Sequence, residues 1–224
     1  MSRWQPQAVL FDLDGTLIDT AADLCAAANA MLIERGAAPL PLAAFRPWVS
    51  RGGRAMLDLA FPELDDESRA ALLPEFLSRY GAEPARHSRL FDGMTEVLAA
   101  IEARGLAWGI VTNKPQRLAE PVLQALRLTD RCGVLIGGDT LPVRKPDPLP
   151  LRVACERLGV AVEKAIYVGD DLRDVQAARA AGMPVIGAAW GYLAPGEHID
   201  DWGADAVLAQ PIDLLAALGL DGHG

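Results

Sequence analysis

The sequence predicts an α/β protein with a doubly wound parallel sheet and a small all-helical cap inserted after the first strand. From Met94 onward, short β-rich runs alternate with helix-like patterns, an arrangement typical of a parallel sheet with helices on both faces. A separate apolar run occupies 8–13, and only helical patterns lie between it and Met94. The length of 224 residues accommodates one such core and a smaller second unit.

The predicted strands are short apolar runs, most of them followed by a helix-like stretch. They occupy 8–13, 106–111, 134–137, 165–168, 184–187 and 206–208. A glycine directly after an apolar periodic segment commonly ends a helix, because this position often needs a left-handed residue. Four predicted helices end in this way, at Gly36, Gly105, Gly159 and Gly182.

Residues 18–88 are predicted to form the cap. Asp19 and Thr20 can cap a helix that runs to Arg35, and 67–80 have a second helical pattern. The same pattern also allows a helical layer packed directly on the sheet, without a separate domain. The predicted domains are a catalytic core, 1–17 and 89–224, and a helical cap, 18–88.

The acidic composition argues against nucleic acid as a partner. The chain has 21 Lys and Arg residues against 30 Asp and Glu residues, whereas nucleic-acid binding usually begins at a basic face. The N-terminus has no secretory signal pattern, and the longest uncharged run, 183–196, is too short to span a bilayer. The cysteines, Cys25, Cys132 and Cys155, show no paired spacing. We therefore expect a cytoplasmic monomer or homodimer with no membrane partner.

The first candidate site lies at the end of the first predicted strand, in the segment Phe-Asp-Leu-Asp-Gly-Thr at 11–16. Alternation along a strand places Asp12 and Asp14 on the same side, whereas Leu13 faces the core. The carboxyl ends of parallel strands are where open α/β sheets bind ligands. If this pair stood alone, an acidic turn closed by Gly15 would be the simpler interpretation.

A second acidic segment follows the strand predicted at 165–168 and contributes Asp170, Asp171 and Asp174. Five aspartates would then meet at one edge of the sheet, where their mutual repulsion opposes ionisation. A hard divalent cation with oxygen ligands removes this conflict. Magnesium suits the pattern, because it takes few carboxylates, keeps several waters and completes its shell with a substrate phosphate.

Two further segments supply groups that a transferring phosphoryl group needs. Thr112 and Asn113 offer a hydroxyl and an amide at the end of a predicted strand, and Arg144 and Lys145 offer positive charge before a predicted helix. Each segment alone is weak evidence for such a site, because strands often end in threonine and adjacent basic residues usually belong to a solvated loop. Together with the aspartates, they predict a phosphoryl-transfer site.

The order of these segments, Asp-x-Asp-Gly-Thr, strand-Thr-Asn, Lys-Pro and Gly-Asp-Asp-x-x-Asp, resembles the haloacid dehalogenase superfamily of phosphohydrolases. The resemblance covers the whole chain and implies a Rossmann-like core, with 18–88 as the small cap of that superfamily's first subclass. Segments 111–115 and 136–139 are similar to the phosphoglycolate phosphatases. Segments 87–94 and 202–205, with Trp108, are also similar to the N-acetylmuramic acid 6-phosphate phosphatases of cell-wall recycling.

The resemblance implies a role for each matched residue. Asp12 would be the nucleophile that forms an aspartyl phosphate, and Asp14 the general acid and then the general base. Thr112 and Lys145 would hold the phosphoryl oxygens. Mg²⁺ would bind the Asp12 side chain, the Asp14 carbonyl and Asp170.

Other expected site residues lie around this centre. By the same resemblance, Asp171 and Asp174 would steady the waters of the metal or Lys145. Thr16 and Asn113 are expected to contribute to substrate binding.

The loop at 50–54 is the candidate specificity loop of the cap. Gly52 permits close approach of the substrate, and Arg51 can fork onto a carboxylate. A plain turn between helices with solvated arginines is the alternative interpretation. Phosphoglycolate and N-acetylmuramic acid 6-phosphate both carry a carboxylate, so Arg51 cannot separate them. Size can, since the sugar needs a roomier and more apolar pocket.

Other activities share parts of this pattern. A phospho-accepting receiver module also combines an acidic cluster with Thr and Lys, but the second carboxylate, Asp14, favours repeated turnover. A dehalogenase has no use for Asp14, because halide leaves without a proton. A phosphonate hydrolase that forms an imine needs a cap lysine, and 18–88 contain none. A β-phosphoglucomutase-like isomerase keeps both aspartates and is the alternative to a phosphatase.

Overall fold

A six-stranded sheet, in which every strand is parallel to its neighbours, forms the centre of the protein. The structure is a computed structural model that describes residues 4–221, so 1–3 and 222–224 of the predicted core lie outside the described residues. The strands are Ala8–Phe11 (β1), Ile18–Asp19 (β2), Arg89–Leu90 (β3), Ala107–Val111 (β4), Leu135–Ile136 (β5), Ala165–Gly169 (β6), Val185–Ala188 (β7) and Ala206–Leu208 (β8). Their order in the sheet is β5-β4-β1-β6-β7-β8, which confirms the predicted fold class.

Nine α-helices occur within residues 4–221, and none of them is long and apolar enough to cross a membrane. The four glycines that the sequence places at helix ends all follow a helix within two residues and have positive φ. The helices are Ala21–Glu34 (α1), Leu42–Phe45 (α2), Gly53–Ala60 (α3), Asp66–Ala82 (α4), Met94–Ala103 (α5), Gln116–Ala125 (α6), Leu149–Leu158 (α7), Leu172–Ala181 (α8) and Asp213–Ala217 (α9).

The two faces of β1 belong to different hydrophobic clusters. Val9 and Phe11 share a cluster with residues of α1, α5 and α6, whereas Ala8 and Leu10 share one with residues of α7 and α8. All four side chains are fully buried, as expected for a parallel strand covered on both faces. Helices therefore cover both faces of the sheet. Because β1 lies between β4 and β6, it ends in the middle of the sheet's carboxyl edge.

The segment between β2 and β3 contains α1 to α4 and, within the described chain, no strand. β2 and β3 pair antiparallel, with Ile18 opposite Leu90, so the chain enters and leaves this helical segment at one place. Helices α1, α3 and α4 pack on one another. This is the helical segment that the sequence predicts, except that the first two of the residues 18–88 form the strand β2. Its behaviour as a separate cap domain stays a prediction.

The start of α1 differs from the expectation that Asp19 or Thr20 caps it. The Thr20 side chain makes no capping hydrogen bond and donates instead to Asp14. The Tyr192 hydroxyl accepts from the backbone N–H of Thr20 and Ala21, at 2.8 Å and 3.1 Å, and donates to Asp19 at 2.8 Å. A side chain from the loop after β7 therefore satisfies the first amides of this helix.

Candidate active site

The carboxyl ends of β1, β4 and β6 lie side by side at one edge of the sheet. Asp12, Thr112 and Asp170 each follow one of these strands directly. A cleft of about 300 Å³ covers this edge, and the segment 49–54, which includes the start of α3, contributes to its wall together with α4. Residues from all four predicted motif segments line the cleft, so the topology brings them together.

Asp12 and Lys145 form the buried centre of the cleft. Lys145 Nζ lies 3.0 Å from Asp12 Oδ1 and 2.6 Å from Asp174 Oδ1, and it donates to the Tyr167 hydroxyl at 2.7 Å. That hydroxyl donates in turn to the carbonyl oxygen of Val111 at 2.7 Å. Burial opposes the charge of Lys145, but Asp12 and Asp174 outweigh it and raise the lysine's pKa above its usual value. The ammonium therefore stays charged beside Asp12.

Asp170 is held by donors from three parts of the chain. Its carboxylate accepts from Thr16 Oγ1 at 2.7 Å, Ser50 Oγ at 2.8 Å and the backbone N–H of Tyr192 at 2.9 Å. Burial, followed by the charge of Asp12, nevertheless raises the pKa of Asp170 to about 7. Three donors therefore do not compensate for a buried carboxylate next to another one.

Asp12, Asp170 and Asp174 form a buried cluster in which one carboxylate oxygen of each lies within 4.8 Å of the others. Burial also raises the pKa of Asp174 well above its usual value, although Lys145 opposes the shift. The raised pKa values indicate that one ammonium does not balance three carboxylates. Three buried carboxylates at this spacing, with too little positive charge nearby to balance them, are suitable oxygen ligands for a hard divalent cation.

Asp14 is bound by groups from two other elements. Lys114 Nζ lies 2.9 Å and 3.2 Å from its two carboxylate oxygens, and Thr20 Oγ1 donates to one of them at 2.5 Å. Burial opposes the charge of Lys114, but Asp14 and then Tyr80 outweigh it and raise the lysine's pKa. The ion pair holds a second carboxylate in the same cleft as Asp12.

Thr112 and Asn113 both line the cleft, as the sequence predicts. Thr112 Oγ1 accepts from the backbone N–H of Lys114 at 3.2 Å. The Asn113 amide donates to the carbonyl oxygen of Lys145 at 3.0 Å. Asn113 therefore supports the segment that carries Lys145, which is a different partner from the substrate expected for its amide.

Thr16 and Asp171 also have partners other than the expected ones. Gly15 turns the chain at φ +88°, and a Cβ there would lie 2.2 Å from the Asp170 carboxylate. Thr16, the residue after this turn, is hydrogen-bonded to Asp170, fully buried and outside the lining of the cleft. Asp171 pairs with Arg173 at 2.7 Å and caps α8, because its side chain faces the first turn of that helix.

The predicted specificity loop forms part of the cleft wall. Arg51 lines the cleft, pairs with Glu197 at 2.6 Å and stacks over the ring of Trp48 at 5.4 Å. Its side chain is 42% exposed. Gly52 has φ +89° and immediately precedes α3, a backbone conformation that side chains disfavour. Both residues are at the cleft, although Arg51 already has an acidic partner.

Comparison with known proteins assigns the chain to a family. A family model for haloacid dehalogenase-like hydrolases matches residues 9–188. The chain belongs to this family. This confirms the resemblance on which the site roles depend, as well as the hydrolase class.

Two kinds of curated relatives match this hydrolase over nearly its whole length. It is 54% identical over 209 residues to the phosphoglycolate phosphatase of Xanthomonas campestris pv. campestris (strain 8004), covering 93% of this chain and 95% of that protein. It is 44% identical over 219 residues to the N-acetylmuramic acid 6-phosphate phosphatase of Pseudomonas aeruginosa, covering 97% of each. The crystal structure of a predicted phosphoglycolate phosphatase from Haemophilus somnus 129pt has a TM-score of 0.83 at 28% identity, covering 96% of this chain and 99% of that one.

Several residues of the hydrolase site were not predicted from the sequence, among them Lys114, Tyr167 and Tyr192. Lys114 had a usable signal, because it follows Thr112 by two residues and alternation places both on one side of an extended segment. Tyr167 and Tyr192 had none, since their hydroxyls reach partners far away in the chain. The separation between Tyr192 and Thr20, for example, is 172 residues.

Proposed function

We propose that this hydrolase is a magnesium-dependent phosphatase that cleaves small phosphate monoesters through phosphorylated Asp12. The observation that carries the proposal is a buried carboxylate, Asp12, with the Lys145 ammonium at 3.0 Å and a second carboxylate, Asp14, in the same cleft. Asp12, Asp170 and the carbonyl oxygen of Asp14 would hold Mg²⁺. When bound, the ion supplies positive charge that stabilises the phosphoryl oxygens.

The reaction has two steps. An Asp12 oxygen attacks phosphorus, the bond from phosphorus to the ester oxygen breaks, and Asp14 gives a proton to the departing oxygen. The Thr112 hydroxyl and the Lys145 ammonium bind the phosphoryl oxygens. Water then attacks the acyl phosphate and Asp14 takes a proton from it, which releases inorganic phosphate and regenerates the Asp12 carboxylate.

Hydrolysis of p-nitrophenyl phosphate tests this proposal. We expect many turnovers per molecule with magnesium and none in excess chelator, with activity restored by added magnesium. Calcium should inhibit, because its higher coordination number lets Asp12 bind through both oxygens and occupies its lone pairs. A single release of nitrophenol without further turnover would favour a phospho-accepting module, and full activity in chelator would contradict the metal requirement.

Phosphoglycolate is the first candidate substrate. Relatives named phosphoglycolate phosphatase are 54% identical to this chain, and Arg51 on the cleft wall suits the carboxylate of a two-carbon acid. Arg51 would have to exchange Glu197 for the substrate. That exchange costs little, because the pair is partly exposed to solvent.

The cleft favours N-acetylmuramic acid 6-phosphate as a second candidate. The volume of about 300 Å³ lies at the lower end of the roughly 300–1,000 Å³ of small-molecule pockets, so the volume by itself does not favour either ester. Part of the wall is apolar, which suits the methyl groups of an acetamido sugar with a lactyl arm. The apolar side chains are Leu24, Val49, Met56, Leu73, Leu77 and Leu118.

Values of kcat/KM for the two esters distinguish these candidates. We expect a preference of at least about tenfold, or roughly 1.4 kcal/mol in transition-state binding. If the sugar phosphate is preferred, Leu77→Asn should lower kcat/KM for it while changing the value for phosphoglycolate little. If a third phosphate ester had a far higher kcat/KM than both, the proposed reaction would stand and both candidate substrates would be refuted.

We also propose that the enzyme acts in the cytoplasm. Cys25, Cys132 and Cys155 are free, and unpaired cysteines are typical of a reducing compartment.

A further inference from the structure

A second lysine, Lys114, joins the candidate site to α4. Its Nζ lies 2.9 Å from Asp14 Oδ1 and 4.3 Å from the centre of the Tyr80 ring. The Lys114 side chain is 5% exposed, and Tyr80 is buried as well. The chain has three lysines, and two of them, Lys114 and Lys145, each pair with one of the two aspartates of the first motif.

The bonds to Asp14 restrict how its carboxylate can turn. Oδ1 accepts from Thr20 and Lys114, whereas in the described part of the chain Oδ2 accepts from Lys114 alone, at the longer distance of 3.2 Å. Oδ2 therefore has lone-pair capacity left for a further donor. Because Asp14 lines the cleft, that donor can be a water molecule within it.

We propose that Lys114 is a positioning residue for Asp14 in the hydrolytic step, and that the Tyr80 ring keeps Lys114 in place. The inference rests on the function proposed above. In that step the water oxygen bonds to phosphorus, the bond from phosphorus to Asp12 breaks, and a water proton moves to Asp14 Oδ2. A carboxylate fixed by Lys114 and Thr20 presents this oxygen continuously, whereas a freely rotating one does so only part of the time.

Tyr80 acts through its ring. Among residues 4–221, its hydroxyl makes no hydrogen bond of good geometry, although it is close enough to Lys114 for each group to influence the pKa of the other. The ring lies against the Lys114 ammonium. An aromatic face attracts a cation and excludes water from it, and both effects strengthen the ion pair with Asp14. A change in α4 that withdraws the ring would therefore loosen Asp14.

Rapid mixing with p-nitrophenyl phosphate and magnesium tests the inference. Nitrophenolate leaves without needing a proton, so the first step does not depend on the orientation of Asp14. Lys114→Met should therefore keep a burst of nitrophenol and slow the steady state, raising the ratio of burst rate to steady rate by at least about tenfold, since general bases contribute roughly 10²–10⁴. Lys114→Arg should recover part of the steady rate, and Tyr80→Leu should raise the ratio by a smaller factor.

The matched control is Lys164→Met, which removes an exposed lysine outside the cleft and should leave both rates unchanged. A proportional loss of burst rate and steady rate in Lys114→Met would indicate a merely structural role and overturn the inference. If Lys114→Met does not fold by circular dichroism, an unchanged ratio in Tyr80→Leu overturns it instead. A wild-type enzyme without turnover would refute the proposed phosphatase function, which is a separate result.

Discussion

The stability of the metal-free protein should depend on pH because of Asp170. Burial and the charge of Asp12 raise the pKa of Asp170 from 3.8 to about 7. The folded protein therefore holds this proton more tightly than the unfolded chain, and stability falls as the pH rises from about 4 to about 7. At about 1.4 kcal/mol per pKa unit, the loss is about 4 kcal/mol, a large share of the roughly 5–15 kcal/mol that stabilises a typical protein.

Urea denaturation in chelator at pH 5 and pH 8 measures this loss. The free energy of unfolding should be lower at pH 8, and magnesium should restore more stability there, because the ion binds the ionised cluster. At a concentration one hundred times its Kd, the ion contributes about 2.7 kcal/mol. Asp170→Asn should shrink the difference between the two pH values by at least about 2 kcal/mol, because the amide does not titrate.

Asp200→Asn is the matched control, since Asp200 is exposed and its removal should leave the difference between pH 5 and pH 8 unchanged. Asp174 also has a raised pKa, so the Asp170→Asn protein should keep part of the difference. Equal stability of the metal-free wild type at the two pH values, or an unaltered difference in Asp170→Asn, would refute the reasoning.

Three further outcomes are expected. Asp12→Asn should remove nearly all phosphatase turnover, because an amide is a poor nucleophile, and a rate above about a tenth of that of the exposed-site control Asp130→Asn would place the nucleophile elsewhere. Asp14→Asn should become phosphorylated but release phosphate slowly after rapid mixing, and normal release would assign the base to another residue. Tyr192→Phe should lower the free energy of unfolding in urea by about 1–3 kcal/mol, because two backbone amides lose their acceptor. Tyr80→Phe is its control, since the Tyr80 hydroxyl makes no hydrogen bond of good geometry among the described residues, and an equal loss in both variants would contradict the role of Tyr192.

Substrate preference was the least predictable property from sequence. Arg51 was expected to hold a carboxylate, and the structure places it at the cleft but on Glu197. The apolar wall comes from α1, α3, α4 and α6 as well as from the loop before α3. The residues of that wall are spread over several segments of the chain, so no local sequence motif predicts it.

The sequence alone determined the fold class and the centre of the site. Strand periodicity and helix-ending glycines are local, and aspartates placed just after buried strands must meet at one sheet edge because parallel strands share their carboxyl ends. The pattern therefore already places Asp12 and Asp170 at one edge, and the strand order, with β1 beside β6, makes them neighbours.

Only the tertiary structure decided how those carboxylates are held. Lys114 and Thr20 bind Asp14, Ser50 reaches Asp170, and Tyr192 caps α1 across the fold. These partners come from segments far apart in sequence, and side-chain direction depends on how the segments pack. Hydrogen bonds are directional and short, so a pattern that predicts which residues approach one another does not predict which atoms bind.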